Sequence, residues 1–382
     1  MAVLKSKSIY VVIVISTNII SFCFLDNAFN NQYKRLIIWF FCSLFVVLGG
    51  IKWNTGTDWN AYYYNFLNSV TYDRAVNSPT SFEWGYSTLN YLINSLTGSF
   101  TVFLLIFSFI TIYLKYKVLI NRQFISYGLF GLFCFYCYTM GDIISWRQAF
   151  AISLILFSIF FIIKRNFLLF LLCIVVASLF HRSAVICLLM YYAYNLNISK
   201  KNMLLIFIAS MFLGLFLFKF KVSTLNIPFL SGLEIFSAYQ AKLDAYNDIG
   251  QVSYGQVDST LSNFLGYLRK AIFVIPMILL VKKDNKIIYG LMNVSLIGSV
   301  VYFILGAIAS DFKRLGGYFD IFDIILVPAI LYGIENKKVR YFLIFIYALF
   351  MLLRLYVSVY NFWDIYDPFI TIFDFHDTRS LY

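Results

Sequence analysis

The feature that most restricts the fold of this chain is a succession of apolar runs, each about 14–23 residues long, separated by short polar clusters. A helix that crosses the hydrocarbon core of a bilayer needs about 20 apolar residues. Charged residues make up only 13% of the sequence and hydrophobic residues 61%, whereas a soluble domain carries about 25% charged residues. The sequence therefore predicts an all-α integral membrane protein and excludes a soluble enzyme.

The apolar runs predict about twelve transmembrane helices and two long polar loops, at about 52–98 and 219–262. A polar tail follows at about 358–382. Neither a linker nor an internal repeat divides the chain, so we expect a single polytopic membrane domain over 1–382. The predicted spans are roughly 9–25, 36–51, 99–114, 124–140, 147–163, 167–180, 184–198, 203–218, 263–281, 287–309, 318–334 and 341–357.

The basic residues indicate the orientation of the chain. Fifteen of the 30 Lys and Arg fall in one set of short loops with only three acids, Asp26, Asp284 and Glu335, and the bases and acids elsewhere cancel, so the net charge of +12 lies on one face. Cytoplasmic loops are enriched in Lys and Arg. We therefore expect both long loops and the tail outside the cytoplasm, although Lys5 and Lys7 argue against an external N-terminus. The fifteen bases are Lys34, Arg35, Lys115, Lys117, Arg122, Lys164, Arg165, Lys200, Lys201, Lys282, Lys283, Lys286, Lys337, Lys338 and Arg340.

Four groups of polar residues lie at the predicted outer ends of the spans. Charge at the edge of a membrane needs a partner, an aqueous cavity or a function, so these groups are candidates for a functional site. They are Lys52 and Asp58 with Glu83 and its neighbours; Asp142 with Arg147 and Gln148; His181 with Arg182 and Ser183; and Lys313 and Arg314 with Tyr318, Asp320 and Asp323.

Each group also has a purely structural explanation. Asp58 could cap a short helix over Trp59–Asn68, and Glu83 could be an ordinary solvated acid. Arg147 could extend its side chain to the membrane interface. His181 could be a hydrogen-bonded structural residue, and Arg314 an interfacial charge that pairs with Asp320 or Asp323.

Taken together, the four groups favour chemistry on a sugar diphosphate. Arginine binds phosphate oxygens in a fork and remains charged at physiological pH. A carboxylate or an imidazole can accept the proton of a sugar hydroxyl as it attacks. Aromatic residues such as Trp59 and Tyr62 offer flat faces for sugar rings. The sequence contains neither a P-loop nor a zinc motif, and we expect no cofactor and no metal.

Five motifs occur in a fixed order along the chain. They are Lys-x-Asn-x-Gly-Thr-Asp-x-x-x-Tyr from Lys52, Glu-x-Gly-Tyr-x-x-Leu-Asn from Glu83, Trp-Arg-Gln-Ala-x-Ala from Trp146, Phe-His-Arg-Ser-Ala from Phe180, and Phe-Lys-Arg-x-x-x-Tyr-Phe from Phe312. In this order the sequence, over roughly 36–335, resembles the EpsG family of exopolysaccharide and O-antigen (Wzy-type) polymerases. It departs from the family pattern at Lys52, where arginine is usual.

The resemblance implies a GT-C-like glycosyltransferase of the bacterial cytoplasmic (inner) membrane, with its active site facing the periplasm or the exterior. Such an enzyme joins oligosaccharide repeat units carried on undecaprenyl diphosphate. Its partners would be the lipid-linked donor and acceptor and membrane lipid, with a chain-length regulator protein as a candidate and no nucleic acid. Asp58, Arg147, His181 and Arg314 match the recurrent polar positions of the family, and Glu83, Gln148 and Tyr318 lie beside them.

The roles we expect for these residues follow from their chemistry. Asp58 or Glu83 would act as the base, and His181 would support acid–base work or the phosphate. The diphosphate and the sugars would contact Arg147, Gln148, Arg314, Lys52, Lys313, Tyr318, Trp59 and Tyr62.

Two other functions remain alternatives. A flippase for lipid-linked oligosaccharides also has about twelve spans, but we expect it to carry charges near the middle of several helices. Spans such as 99–114, 167–180 and 341–353 carry none, and the ionisable residues gather at one membrane face. An O-antigen ligase-type glycosyltransferase would share the setting of a polymerase. The sequence thus favours a polymerase over a transporter and leaves the ligase open.

Overall fold

The computed structural model of the chain describes residues 20–56, 58–78, 81–144, 146–219, 260–308, 310–360 and 369–374. Within these ranges the regular structure is helical, apart from one isolated antiparallel bridge between Lys52 and Thr371. The prediction of an all-α protein is therefore confirmed. The second long loop and most of the tail lie outside the described residues.

The helices follow one another with short connections. The α-helices are α1 (Asn31–Ile51), α2 (Trp59–Asn68), α3 (Tyr72–Asn77), α4 (Trp84–Thr97), α5 (Phe100–Leu119), α6 (Gly128–Ile144), α7 (Trp146–Phe157), α8 (Ile159–Ile163), α9 (Phe167–Ser178), α10 (Leu188–Asn195), α11 (Lys200–Lys219), α12 (Thr260–Leu280), α13 (Lys286–Ile308), α14 (Gly317–Asp320), α15 (Asp323–Tyr332) and α16 (Lys337–Tyr360). The 3₁₀ segments are Ile125–Tyr127, Arg182–Cys187 and Ser310–Gly316.

Five of the described helices, α1, α5, α11, α13 and α16, are long and apolar enough to cross a membrane. The pair Phe312–Asp320 and Asp323–Tyr332, bent by 49°, makes a sixth candidate. Shorter apolar helices cover Ile125–Tyr138, Arg147–Ile163 and Phe167–Ser178. These observations support a polytopic membrane protein, and the count of about twelve spans remains a prediction.

The central helix of the described structure is α13. It packs against α10, α11, α12 and the segment from Ser310 to Asp320. The close approach to α14 depends on Gly298, because a Cβ atom there would lie 2.2 Å from the Cβ of Phe319. By contrast, a Cβ on Gly317 would meet no atom within 4 Å. The position of α14 is thus set by its packing on α13.

The first long loop is a small helical layer, formed by α2, α3 and α4. The short helix over Trp59–Asn68, which was one structural explanation for Asp58, is present. The Asp58 side chain makes no capping hydrogen bond, since its backbone (φ −101°, ψ 6°) departs from the extended form usual at this position. Buried aromatic rings, among them Phe66, Tyr86 and Phe103, fasten the layer to α5.

Two of the bases that we predicted in cytoplasmic loops are buried in helices instead. Because α5 continues to Leu119, Lys115 lies inside it, and its ammonium is 5.3 Å from the centroid of the Phe135 ring. Lys34 lies in the first turns of α1, 3.1 Å from the buried carboxylate of Asp26. These cations support packing at the ends of the helices.

Candidate active site

The N-terminus of α4 is held against the C-terminal end of α9, and this contact places Glu83. The backbone N–H of Gly85 donates to the carbonyl oxygen of Leu179 at 2.8 Å. A Cβ on Gly85 would lie 2.9 Å from the same oxygen, so only glycine allows this approach. The backbone N–H of Arg182 then reaches Oε1 of Glu83 at 3.5 Å. The first long loop and the turn at His181 thereby meet.

Arg147, in the first turn of α7, connects to the same carboxylate. Its Nη1 donates to Oε2 of Glu83 in an ion pair, and its Nε donates to the hydroxyl of Tyr62 at 3.4 Å. The guanidinium carbon is 4.0 Å from the centroid of the Phe82 ring. The side chains of Arg147 and Glu83 are 20% and 13% exposed. The guanidinium is thus fixed in orientation and remains partly exposed.

The hydroxyl of Tyr62 is neutral in this setting. Burial raises the pKa of Tyr62, and the neighbouring Arg147 opposes that rise without cancelling it. A neutral phenol accepts the hydrogen bond from Arg147 without neutralising its charge. The positive charge of Arg147 therefore has Glu83 as its ionic partner.

A triangle of polar groups lies beside this pair. Nδ1 of His181 is 2.6 Å from Oγ of Ser183 and 2.8 Å from the hydroxyl of Tyr318, and the two hydroxyl oxygens are 3.1 Å apart. Tyr318 belongs to α14, so the triangle joins the α9–α10 turn to the late bent helix pair. We call Tyr62, Glu83, Arg147, His181, Ser183 and Tyr318 the Arg147 cluster.

Comparison with known families now adds to this geometry. The model of the EpsG family matches residues 34–371. The chain belongs to the EpsG family. EpsG is a Wzy-type polymerase-like family, and the chain is accordingly a multi-pass membrane protein. No curated protein and no solved structure matches the chain.

The EpsG fold brings five of the predicted site residues into direct contact. Glu83, Arg147 and Tyr62 form one group, and His181 and Tyr318 form the other. Two further predicted residues join the edge of the cluster through the backbone, because Nε2 of Gln148 donates to the carbonyl oxygen of Arg314 at 3.4 Å. The catalytic and substrate-binding roles of these residues remain predictions, but the residues lie close together.

The other predicted residues of this EpsG protein differ in their surroundings. Asp58 and Arg314 are exposed. Lys52 is buried, where the chain pairs with Thr371, and Trp59 is buried with its ring 4.9 Å from that of Trp53. The side chain of Lys313 packs over Gly306. Their proposed contacts with substrate remain predictions.

Sequence reasoning named Asp320 and Asp323 but missed their partners in a second polar group of this EpsG fold. Asp320 pairs with Lys270 of α12. Asp323 accepts a hydrogen bond from Tyr138, which also contacts Arg354 of α16. The expectation that ionisable residues gather at one membrane face was therefore incomplete. The available signal was a lysine or an arginine within an otherwise apolar span.

Proposed function

We propose that this EpsG-family protein is a glycosyltransferase that joins repeat units carried on undecaprenyl diphosphate, at the outer face of the cytoplasmic membrane. The observation that carries this proposal is the Arg147–Glu83 pair beside His181, in a family of polymerase-like proteins. A fixed guanidinium suits a departing diphosphate, and a neighbouring carboxylate suits a hydroxyl nucleophile.

The reaction consists of one displacement at the anomeric carbon of the donor. A hydroxyl of the acceptor repeat unit attacks C1 of the donor glycan, and its proton passes to a carboxylate. The bond between C1 and the diphosphate oxygen breaks, and the electron pair stays on the diphosphate. The products are a longer glycan on the acceptor carrier and free undecaprenyl diphosphate.

Arg147 and Glu83 would act in sequence in this displacement. A diphosphate competes with Glu83 for the guanidinium of Arg147, because both ligands are anions that accept its N–H groups. Once Arg147 binds phosphate, Glu83 is left as a carboxylate without its ionic partner. In that state it can accept the hydroxyl proton. We therefore assign Glu83 as the base in preference to the exposed Asp58.

His181 would support proton transfer through its other ring nitrogen. The hydroxyls of Ser183 and Tyr318 engage Nδ1, so they fix the plane of the ring. Acid–base work would then use Nε2, whose protonation depends on the tautomer that the triangle selects.

Substitution of Arg147 tests this function in a bacterium that makes a surface polysaccharide. We expect Arg147→Ala to lower polymerisation by about 10²–10³-fold, since a fixed donor to developing charge is lost. Single repeat units should remain on the lipid carrier while long chains disappear. Polymerisation by Arg147→Lys should lie between that of the wild type and that of Arg147→Ala, because lysine keeps the charge but cannot bind phosphate with a planar fork.

The control is Arg74→Ala, which removes an exposed base of α3 in the same long loop and should leave chain length normal. Unchanged chain length in Arg147→Ala at normal expression would remove Arg147 from the mechanism. Repeat units accumulating on the cytoplasmic side would instead indicate a flippase.

A further inference from the structure

A second set of charged side chains lies inside the helices, apart from the Arg147 cluster. Lys270, buried in α12, forms an ion pair with Asp320 of α14. Nη1 of Arg354 donates to the hydroxyl of Tyr138 at 2.6 Å, and that hydroxyl donates to Oδ2 of Asp323 at 3.1 Å. We call these residues, with Arg269, the Arg354 cluster. Ionisable groups within apolar helices are costly and usually mark a functional site.

A small cleft between α12, α16 and the bent helix pair is lined by all of these residues except Tyr138. One side of the cleft is aromatic, because the rings of Phe273 and Phe350 stack with centroids 6.0 Å apart. On both helices these rings lie about one turn nearer the predicted cytoplasmic end than the charged residues do. The charged part of the cleft is therefore on the outer side of an apolar floor.

The charges of the cleft do not balance. Arg269, Lys270 and Arg354 line it together with only two acids, Asp320 and Asp323. Within the described ranges, neither arginine forms an ion pair with a carboxylate. Asp323 is only 3% exposed, and its Oδ1 has no hydrogen-bond partner within the same ranges. The cleft thus offers positive charge to an anion and a buried acceptor to a hydroxyl group.

The cleft also lies where a lipid could enter it. Arg354 follows Arg340 by fourteen residues, or about 20 Å along the helix, within a hydrocarbon core of about 30 Å. Leu268 and Ile272 on α12 are exposed, as are Leu349 and Leu353 on α16. These apolar faces flank the charged residues and would contact a polyprenyl chain.

The two clusters share α14. Tyr318 contacts His181 and Ser183, whereas Asp320, two residues later, contacts Lys270. Residues two apart in a helix lie on opposite sides of it. The clusters are therefore neighbours across a single helical turn.

We propose that the Arg354 cluster is a second binding site for a polyprenyl-linked glycosyl diphosphate, so that donor and acceptor lie on opposite sides of α14. This inference rests on the proposed function, because a polymerase holds two lipid diphosphates at once. The anionic oxygens of the diphosphate contact Arg269, Lys270 and Arg354, and a hydroxyl of the ligand reaches Asp323. The diphosphate competes with Asp320 for Lys270, as it competes with Glu83 for Arg147.

The test counts undecaprenyl diphosphate bound to the full-length protein in phosphatidylcholine nanodiscs, by native mass spectrometry. We expect two molecules per wild-type chain, and one in Arg354→Met and in Arg147→Ala. Arg340→Met is the matched control and should keep two, because Arg340 lies on the same helix and also stacks on tyrosines. Arg269→Ala removes an exposed side chain and should weaken the second binding event about tenfold.

Competition experiments distinguish a diphosphate from a phospholipid headgroup as the ligand of the second site. Inorganic pyrophosphate should displace the second molecule in the wild type. Displacement by phosphatidylglycerol and not by pyrophosphate would make this an ordinary phospholipid site and overturn the proposal. One bound molecule in the wild type, or two in both Arg354→Met and Arg269→Ala, would also overturn it.

Chain formation is measured alongside binding, so that the polymerase function and the second binding site can be refuted independently. A wild-type protein that makes chains but binds one carrier removes only the second site. A protein that binds two carriers and forms no glycosidic bond removes the polymerase function.

Discussion

The Arg147 and Arg354 clusters use similar parts in different surroundings. Each contains an ion pair between a basic side chain and a carboxylate, and a tyrosine hydroxyl that is hydrogen-bonded to an arginine. The Arg147 cluster lies among loop segments and contains the imidazole of His181, whereas the Arg354 cluster lies between long apolar helices. The first therefore has groups that can exchange protons with a substrate. The second has the means to hold an anion next to lipid.

Removal of the carboxylate from each cluster should produce the largest difference between the two clusters in polymerisation rate. We expect Glu83→Gln to lower the polymerisation rate at saturating substrate by about 10²–10⁴-fold, the usual contribution of a general base. Asp320→Asn should strengthen substrate binding, because Asp320 competes with the diphosphate for Lys270, and should leave the saturated rate within about threefold, since Asp320 transfers no proton. Rates measured at several concentrations of a lipid-linked repeat unit give both values. Equal losses of saturated rate in the two variants would contradict the division of roles.

Asp58→Asn is the control for the assignment of the base. Asp58 is exposed and forms no cap on α2. We expect a much smaller loss than in Glu83→Gln. A larger loss would transfer the role of base to Asp58.

A change beneath α14 should disturb both clusters together. In Gly298→Ala the new methyl would collide with Phe319, which lies between Tyr318 and Asp320. Overpacking of this kind costs about 1–3 kcal/mol. Thermal unfolding in detergent should show the loss, and both chain formation and carrier binding should decline.

Gly317→Ala is the matched control for this packing, because its methyl would meet no atom within 4 Å. Its unfolding temperature and both readouts should stay close to wild type. If Gly298→Ala impaired only one cluster, α14 would not be their shared support.

The smallest effects should come from single tyrosine hydroxyls. Tyr318→Phe should lower the polymerisation rate about tenfold and alter its pH profile, because the His181 ring loses one of the groups that orient it. Tyr138→Phe should weaken carrier binding by a similar factor and leave the pH profile unchanged. A change of pH profile in Tyr138→Phe alone would reverse the roles of the clusters.

Much of the Arg147 cluster could be predicted because its residues interrupt apolar runs. Arg147 begins a span, His181 lies between two short ones, and Tyr318 begins a late one, so their polarity was visible in the sequence. Helix α2 was likewise predictable from its position after a polar, glycine-containing turn.

Asp320 and Asp323 were visible in the sequence, but their partners in the Arg354 cluster were not, because these partners lie inside apolar spans far along the chain. Lys270 and Asp320 are 50 residues apart, and Tyr138 and Arg354 are 216 apart. Nothing local in an apolar span shows which helix will lie beside it. The burial of Lys52 depends in the same way on Thr371, whose neighbours pair with the backbone of Ile51 and Trp53.

The account can be tested most directly with the purified protein in vesicles and one defined repeat unit on undecaprenyl diphosphate. It predicts a ladder of glycan lengths, with one undecaprenyl diphosphate released for each new glycosidic bond, and loss of the ladder in Arg147→Ala. Movement of the repeat unit across the bilayer without any new glycosidic bond would contradict it.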